Sequence, residues 1–470
     1  MTEGPKQSPQ STAPTAPTAG PPYPPHPAPP GVPTDPPSPP AARASLRRRW
    51  LILGLAALLL LCATPIGLTV AFADRLTGRA AGTSDDQPAP SPRPGDPPAA
   101  TAAWLRDRLP ELLDRQSAAL LRGDQAGFLS IADPEGPAAG TLKRQYGALR
   151  ALGVAVWRAE VGEDPTPVPD SPRQWRLLVT YQHCFAVPNC APSPVPMLTR
   201  WLDNSPEPRL VAVEPVVAGA KGPRPWQVSD LIAVSGERTL VATTPALRGR
   251  LPDLLARAER AALVADRYAV DGTPPDRYRI FYAGKDEWDR WYGGQLPTWT
   301  AGYALAIGGG YHEVVLNAAE LADQRSDVDA LLRHEMSHAA SLPDRDRVGT
   351  ESWWLIEGVA EHAAANGRAP SRYPGLPDVR RLVGPDWDGR LGDLEPTDDA
   401  ADWQVSGSYG IGYLAVRHLV DRFGERSVLD FFAAVVHRGR SLDDAARQVF
   451  GGAWAPIEAD CVAYLRGMAG

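Results

Sequence analysis

Cysteine is scarce in this chain: there are four in 470 residues, and no two stand in a CxxC spacing, so nothing points to a zinc site held by thiolates. Positive charge is short as well. The formal net charge is −7 and the clearest basic run is Arg47-Arg48-Arg49, which makes nucleic acid a poor partner, because no basic stripe is present to hold phosphates. The first forty residues lack apolar surface; sixteen are proline, mixed with Ser, Thr, Ala and Gly, too little to offset the entropy of ordering. Residues 1–49 are therefore expected to be a disordered arm, either a plain tail or a pre-extended polyproline docking sequence.

From Trp50 to Ala73 it is charge that is missing, for 24 residues, until Asp74 ends the run. About 20 apolar residues span a bilayer, so 50–73 is expected to be a transmembrane helix, with Pro65 and Gly67 tolerated inside it. The arginines before it place the N-terminus in the cytoplasm and everything after Asp74 outside. The expectation is a single-pass cell-membrane protein with an extracytoplasmic C-terminal part. A cleaved signal peptide competes, since Ala71-Phe72-Ala73 fits a small-x-small cleavage site, but the apolar core exceeds the usual length of about seven to fifteen. The cysteines fit export. Cys184 and Cys190 are close enough in sequence to close a small loop, Cys62 lies in the span, and Cys461 has no evident partner.

Residues 74–100, rich in Pro, Gly, Ser and Asp, read as a tether, and roughly 370 residues then remain, enough for two domains. Residues 101–234 open with a helical pattern through Trp104, Leu109, Leu112, Leu113, Leu120 and Leu121. Strand-like runs follow at 153–161, 175–184, 197–202, 210–217 and 226–232. Helices ahead of an antiparallel meander predict a small α+β layer, similar in architecture alone to the nuclear-transport-factor-2-like fold. It holds no acid–base pair or ligand cluster, so its default role is a spacer or protein-binding module. Residues 235–470 predict a mainly helical domain with a small sheet: a helix over 247–270, a short one around Glu287, and strands near 277–283, 303–307 and 313–316.

That second domain carries the chemistry. His334-Glu335-Met336-Ser337-His338 places two histidines four apart, one turn above each other on a helix, where both imidazoles reach one metal ion. Glu357 follows after eighteen residues, in Trp354-Leu355-Ile356-Glu357-Gly358-Val359-Ala360-Glu361, and completes three ligands, with a fourth position left for water. Glu335, next to the first ligand, stands where it can take that water's proton. The plain alternative is a pair of ordinary helical histidines. Local signals place the motif on a helix: Ser326-Asp327-Val328-Asp329 reads as a cap, and Val328, Leu331, Leu332, Met336 and Ala339 as an apolar stripe. A second helix is expected from Ser352 to an αL ending at Asn366-Gly367. Gly358 inside it costs about 1 kcal/mol relative to alanine, which predicts a close backbone approach at the metal.

On these residues the chain resembles the gluzincin zinc metallopeptidases, in particular the peptidase-MA-like domains related to the aminopeptidase-N-like and thermolysin-like families. His334-Glu335-x-x-His338, the eighteen-residue gap and Glu357-Gly358-x-Ala360 match the family's ligand pattern, and Tyr409-Gly410-Ile411-Gly412 is similar to its Tyr-x-x-Gly. The resemblance covers about 247–470. It implies that His334, His338 and Glu357 bind zinc, that Glu335 is the general base, and that Tyr409, rather than Tyr413 one turn on, donates a hydrogen bond to the oxyanion. It further implies that Glu361 accepts a hydrogen bond from the second ring nitrogen of His334 or His338. Glu313–Asn317 takes the place of the edge strand that pairs with substrate, with an ordinary hairpin strand as the alternative; His312 beside it is a structural or substrate-touching histidine. No Gly-Ala-Met-Glu-Asn segment exists, so the free-amine recognition of the related aminopeptidases does not carry over.

The stretch 368–403, rich in Asp, Pro and Gly, is read either as a cover over the cleft that favours basic substrates or as a solvated acidic loop. Together these features predict a membrane-anchored, extracytoplasmic zinc metallopeptidase acting on a peptide or protein substrate. The alternative is a non-catalytic zinc-binding or ligand-binding ectodomain.

Overall fold

Apolar periodicity in the chain settles into helices packed on two sheets. The computed structural model describes residues 90–470 apart from 94, 172, 204–205, 216–221, 271, 295, 323–326, 345–349 and 385–386. The proline-rich arm, the charge-free span and the start of the tether lie outside the described residues. Among the described residues no helix is long and apolar enough to cross a membrane. Gln87–Gly470 forms one unit.

Its first part is helical: α1 (Pro98–Arg122), α2 (Gln125–Leu129) and α3 (Pro137–Ala151). Helix α1 buries Trp104, Leu105, Leu109, Leu112, Leu113 and Leu120, and ends where Gly123 takes φ 81°. Leu121, expected on that buried face, is exposed. The helices cover strands β1 (Val154–Val161), β2 (Thr166–Pro167), β3 (Gln174–Phe185), β4 (Ser193–Leu202) and β5 (Arg209–Pro215). The path β1-β3-β4-β5 is antiparallel throughout, with β2 paired to β3. Helices packed on an antiparallel sheet make this part α+β.

The run 226–232 is not the strand its residues predicted. Pro225 starts a short helix, α4 (Pro225–Val228), and the Gln227 side chain accepts the Arg224 backbone N–H at 2.7 Å. Trp226 turns inward against Trp157 and His183. A short apolar run fits a buried turn as well as a strand, and the capping side chain decides for the turn.

The second sheet begins immediately afterwards. Strands β6 (Ile232–Ser235) and β7 (Thr239–Thr243) lead to α5 (Leu251–Ala265), β8 (Tyr278–Ala283), α6 (Lys285–Trp288), β9 (Gly302–Gly308), β10 (Tyr311–Asn317) and α7 (Ala318–Ala322). The strand order is β6-β7-β8-β10-β9. Pairing is parallel for β7 with β8 and β8 with β10, antiparallel at both ends. One apolar core joins the two sheets, from Trp104 and Trp157 to Phe281 and Val315. The other face of the second sheet packs on α5 and on α8 (Val328–Ser341) through Val314, Leu316, Leu332 and Met336.

The rest is helical: α9 (Trp353–Ala365), α10 (Leu376–Leu382), α11 (Asp402–Phe423), α12 (Glu425–Phe432), α13 (Leu442–Val449) and α14 (Trp454–Ala469), around a core that includes Trp354, Ile411, Leu414 and Phe431. Cys184 and Cys190 form a disulfide, packed on Ile307 and Tyr311 of the second sheet; Cys461 is buried and free.

Candidate metal centre

Helix α8 starts where Asp327 Oδ1 accepts the N–H groups of Asp329 and Ala330, at 3.0 and 3.3 Å. Two turns later it presents His334, Glu335 and His338, all buried. Helix α9 crosses α8, fixed by Arg333, whose Nε and Nη2 donate to the Ala364 carbonyl at 2.9 and 2.7 Å. It ends in Asn366 at φ 44° and Gly367 at φ 84°, as the sequence predicts. Its inner face carries Glu357 and Glu361.

The ligand atoms converge. His334 Nε2 lies 3.1 Å from His338 Nε2 and 3.1 Å from Glu357 Oε2, and His338 Nε2 lies 3.2 Å from the same oxygen. A zinc ion at about 2.0–2.1 Å from each atom of a tetrahedral set would hold those atoms about 3.3 Å apart. The triangle fits that spacing, and two imidazoles and a carboxylate are the donor set of an open zinc site. Charge agrees. Burial favours a neutral Glu357, yet His338 and His334 hold its carboxyl far below the usual range, so it is an anion.

Around the triangle, the geometry separates the remaining candidates. Glu361 Oε1 accepts from His334 Nδ1 at 3.0 Å, so of the two histidines it is His334 that this carboxylate orients. The other oxygen of Glu361 accepts from Tyr373 at 2.8 Å, a partner the sequence did not reveal because it sits in the stretch read as a loop. Glu335 points beside the triangle. Burial pushes its carboxyl above the usual range against the pull of His334 and His338, which suits a group that exchanges a proton. Gly302 at the start of β9 passes so close that a Cβ there would lie 3.1 Å from Glu335 Oε1.

Tyr409 on α11 lines the same cavity as His334 and Glu335, with its ring 5.9 Å from that of His334 and 5.1 Å from that of Trp353. Burial and then the carboxylates of Glu357, Glu335 and Glu361 raise its pKa well above the ordinary value, so the hydroxyl keeps its proton and donates. Tyr413 faces elsewhere: it stacks on Tyr373 and donates to the Arg368 carbonyl at 3.0 Å.

Packing chooses among the readings the sequence left open and changes others. Glu313–Asn317 is the ordinary hairpin strand of the two alternatives: it belongs to β10, which is hydrogen-bonded on both sides, by β8 and β9, and has no free row of backbone groups. The edge strand near the centre is β9, Gly302–Gly308. His312 is buried within the sheet and does not line the cavity. Gly358 does not meet the metal side. Its close neighbours are the Gly412 carbonyl and Val416 of α11, so the two glycines let α9 and α11 touch backbone to backbone. Lastly, 368–403 is only partly loop: it holds α10, buries Leu391 and Leu394, and contributes Arg368, Tyr373, Pro374 and Gly375 to the cavity, while Asp388, Asp393, Asp398 and Asp399 are exposed.

No protein-family model matches the chain, and no curated protein matches it. Among solved structures, yeast leukotriene A4 hydrolase is similar at a TM-score of 0.32 and 16% identity, over 62% of this chain and 52% of that one. An M1 zinc metallopeptidase from Deinococcus radiodurans is similar at 0.31 and 14%, over 68% and 62%. A variant of that enzyme bound to a Tyr-Ser-Ala substrate is similar at 0.30 and 15%, over 67% and 61%. The chain thus spans between about half and six tenths of the length of these structures. What the centre can do is set by its own side chains.

Proposed function

We propose that this chain is a zinc-dependent metallopeptidase that hydrolyses peptide bonds with water. The observation that carries the reading is the triangle of His334 Nε2, His338 Nε2 and Glu357 Oε2 at 3.1–3.2 Å, set beside Glu335 and Tyr409 in one cavity. Zinc held there supplies Lewis acidity, polarising a carbonyl and lowering a water's pKa to about 7. Glu335 accepts the proton of the attacking water and returns it to the leaving amine. Tyr409 donates its hydroxyl proton in a hydrogen bond to the oxyanion that develops on the carbonyl. Glu361, itself held by Tyr373, keeps His334 in the tautomer and orientation that leave Nε2 for the metal. The backbone of β9 offers the edge along which an extended substrate would pair.

The placement proposed for this activity is extracytoplasmic: a cytoplasmic arm at 1–49, a single-pass anchor at 50–73, a tether from 74, and the α+β layer, similar in architecture to nuclear-transport-factor-2-like folds, as spacer or docking module. Support comes from the arginines flanking the charge-free run and from the Cys184–Cys190 disulfide, which suits an oxidising compartment. Incubating the purified protein with a diverse peptide pool, with and without a chelator, and identifying fragments by mass spectrometry tests the activity. Zinc at one per chain with chelator-sensitive cleavage is the expected result; tight zinc binding without any cleavage would leave the non-catalytic ectodomain standing instead.

A further inference from the structure

The cavity beside the metal centre, about 380 Å³ and open to solvent, lies to one side of it: Glu335, His334 and Tyr409 line it, whereas His338 and Glu357 do not. On the peptidase reading, on which this inference rests, Glu335 hands its proton to the leaving amine. The segment on the amine side of the scissile bond therefore occupies this space. From Glu335 the cavity follows α8 back through Leu331 and Ala330 to Asp327. Asp327 precedes His334 by seven residues, about 10 Å of helix at roughly 1.5 Å per residue. That is about the reach of three extended residues at roughly 3.3 Å each.

At that far end stands Arg368. It is held there by its backbone: its N–H donates to the Ala365 carbonyl at 3.0 Å and its own carbonyl accepts from Tyr413 at 3.0 Å. Its guanidinium, about a third exposed, makes one ion pair among the described residues, to Asp327 at 3.9 Å, too long for a hydrogen bond. The other carboxylates of the cavity are committed: Glu361 takes His334 and Tyr373, and Glu335 is the base. Asp327 Oδ1 caps α8, and its Oδ2 faces Arg368 without a hydrogen bond. The cavity thus offers a guanidinium whose donors make no hydrogen bond among the described residues, and its one partly engaged acid already faces that cation.

We propose that Arg368 anchors a substrate carboxylate up to about three residues beyond the scissile bond on its amine side, and so sets specificity. The carboxylate is either the C-terminal one of a short leaving fragment or an acidic side chain at that distance. Arg368 touches neither the metal nor the reacting atoms; it acts by binding.

The test uses one cleavable peptide sequence from the pool, made as free acid or C-terminal amide and, separately, with Glu or Gln in the second or third position after the scissile bond. Affinity of the corresponding short leaving-side peptides for the metal-free protein is measured by calorimetry, and KM and kcat for the full peptides with zinc bound. A charge-assisted bidentate contact predicts that the anionic member of one pair binds about tenfold or more tighter. That ratio should fall towards one in Arg368→Ala, recover in part in Arg368→Lys, and appear in KM more than in kcat. A preference confined to the acid–amide pair identifies the terminal carboxylate; one confined to the Glu–Gln pair identifies a side chain. Equal binding of both members of both pairs, or a preference that survives in Arg368→Ala, overturns the assignment. If zinc-loaded protein cleaves nothing while the metal-free protein still shows the Arg368-dependent preference, the peptidase reading has failed and the carboxylate site stands.

Discussion

Gly358→Ala separates local helix propensity from the packing that builds the centre. In an unpacked helix the substitution would stabilise by about 1 kcal/mol. Here the added Cβ would overlap the Gly412 carbonyl oxygen and lie 2.7 Å from both the Gly412 carbonyl carbon and Val416 Cγ2. Carbon atoms pack at about 3.5–4.0 Å, so α9 and α11 would have to part by about 1 Å. Gly412 offers no relief, since a Cβ on it would itself lie 2.9 Å from the Trp354 carbonyl oxygen. Against rigid helical backbone the overpacking costs about 3 kcal/mol, which outweighs the propensity gain and leaves a net loss of about 2 kcal/mol. The same 1 Å separates Glu357, next to Gly358, from Tyr409 on the facing helix, and a misplacement of that size costs on the order of 100-fold in rate. Denaturant unfolding and steady-state hydrolysis on the same preparations read both effects. A variant about 1 kcal/mol more stable than the parent, with unchanged turnover, would refute the close-contact argument.

Glu335→Gln should keep its zinc and lose hydrolysis, because the amide preserves the shape but cannot accept the water's proton; turnover near the parent's would remove Glu335 from the chemistry. Tyr409→Phe should slow turnover by a hundredfold or more, about 3 to 4 kcal/mol, without releasing zinc. Tyr413→Phe, which loses its bond to the Arg368 carbonyl, should act through stability and through KM, so a kcat defect confined to Tyr413→Phe would reverse the choice of tyrosine. His362 supplies a pH dependence. Burial, then the charges of Arg417 and Arg267, lower its pKa from 6.5 to about 4, and its Nδ1 lies 2.9 Å from the Tyr268 hydroxyl. A depressed folded pKa contributes stability that is fully present above about 6.5 and is lost as pH falls through about 4, up to about 3 kcal/mol in all. Unfolding midpoints measured from pH 7 to pH 4 should therefore fall more steeply for the parent than for His362→Gln; parallel curves would show that His362 is not buried neutral.

The sequence by itself determined the elements whose signals are local. The spacing of His334, His338 and Glu357 gave the ligand set its helical face, and Asp327 and Asn366-Gly367 bounded the two helices that carry it. The strand-like runs 153–161, 175–184 and 197–202 announced an antiparallel sheet, whose strands extend to 174–185 and 193–202. What it left open depended on contacts between distant segments. Whether Glu361 orients His334 or His338 follows from the crossing of α8 and α9, which no spacing within either helix encodes. Strand order is likewise a tertiary property: β9 and β10 read alike as short apolar runs, and only the parallel pairing of β10 with β8 makes β9 the edge. Gly358 signalled a close approach, but its partner, Gly412, lies 54 residues on and became visible only with both helices packed. Arg368 and Tyr373 sit in a stretch whose composition says loop, and they reach the centre because Tyr413 and Glu361 hold that stretch against it. Chemistry that resides in one turn of helix is legible in order along the chain, whereas chemistry assembled across helices is fixed by packing, because burial depends on which surfaces meet.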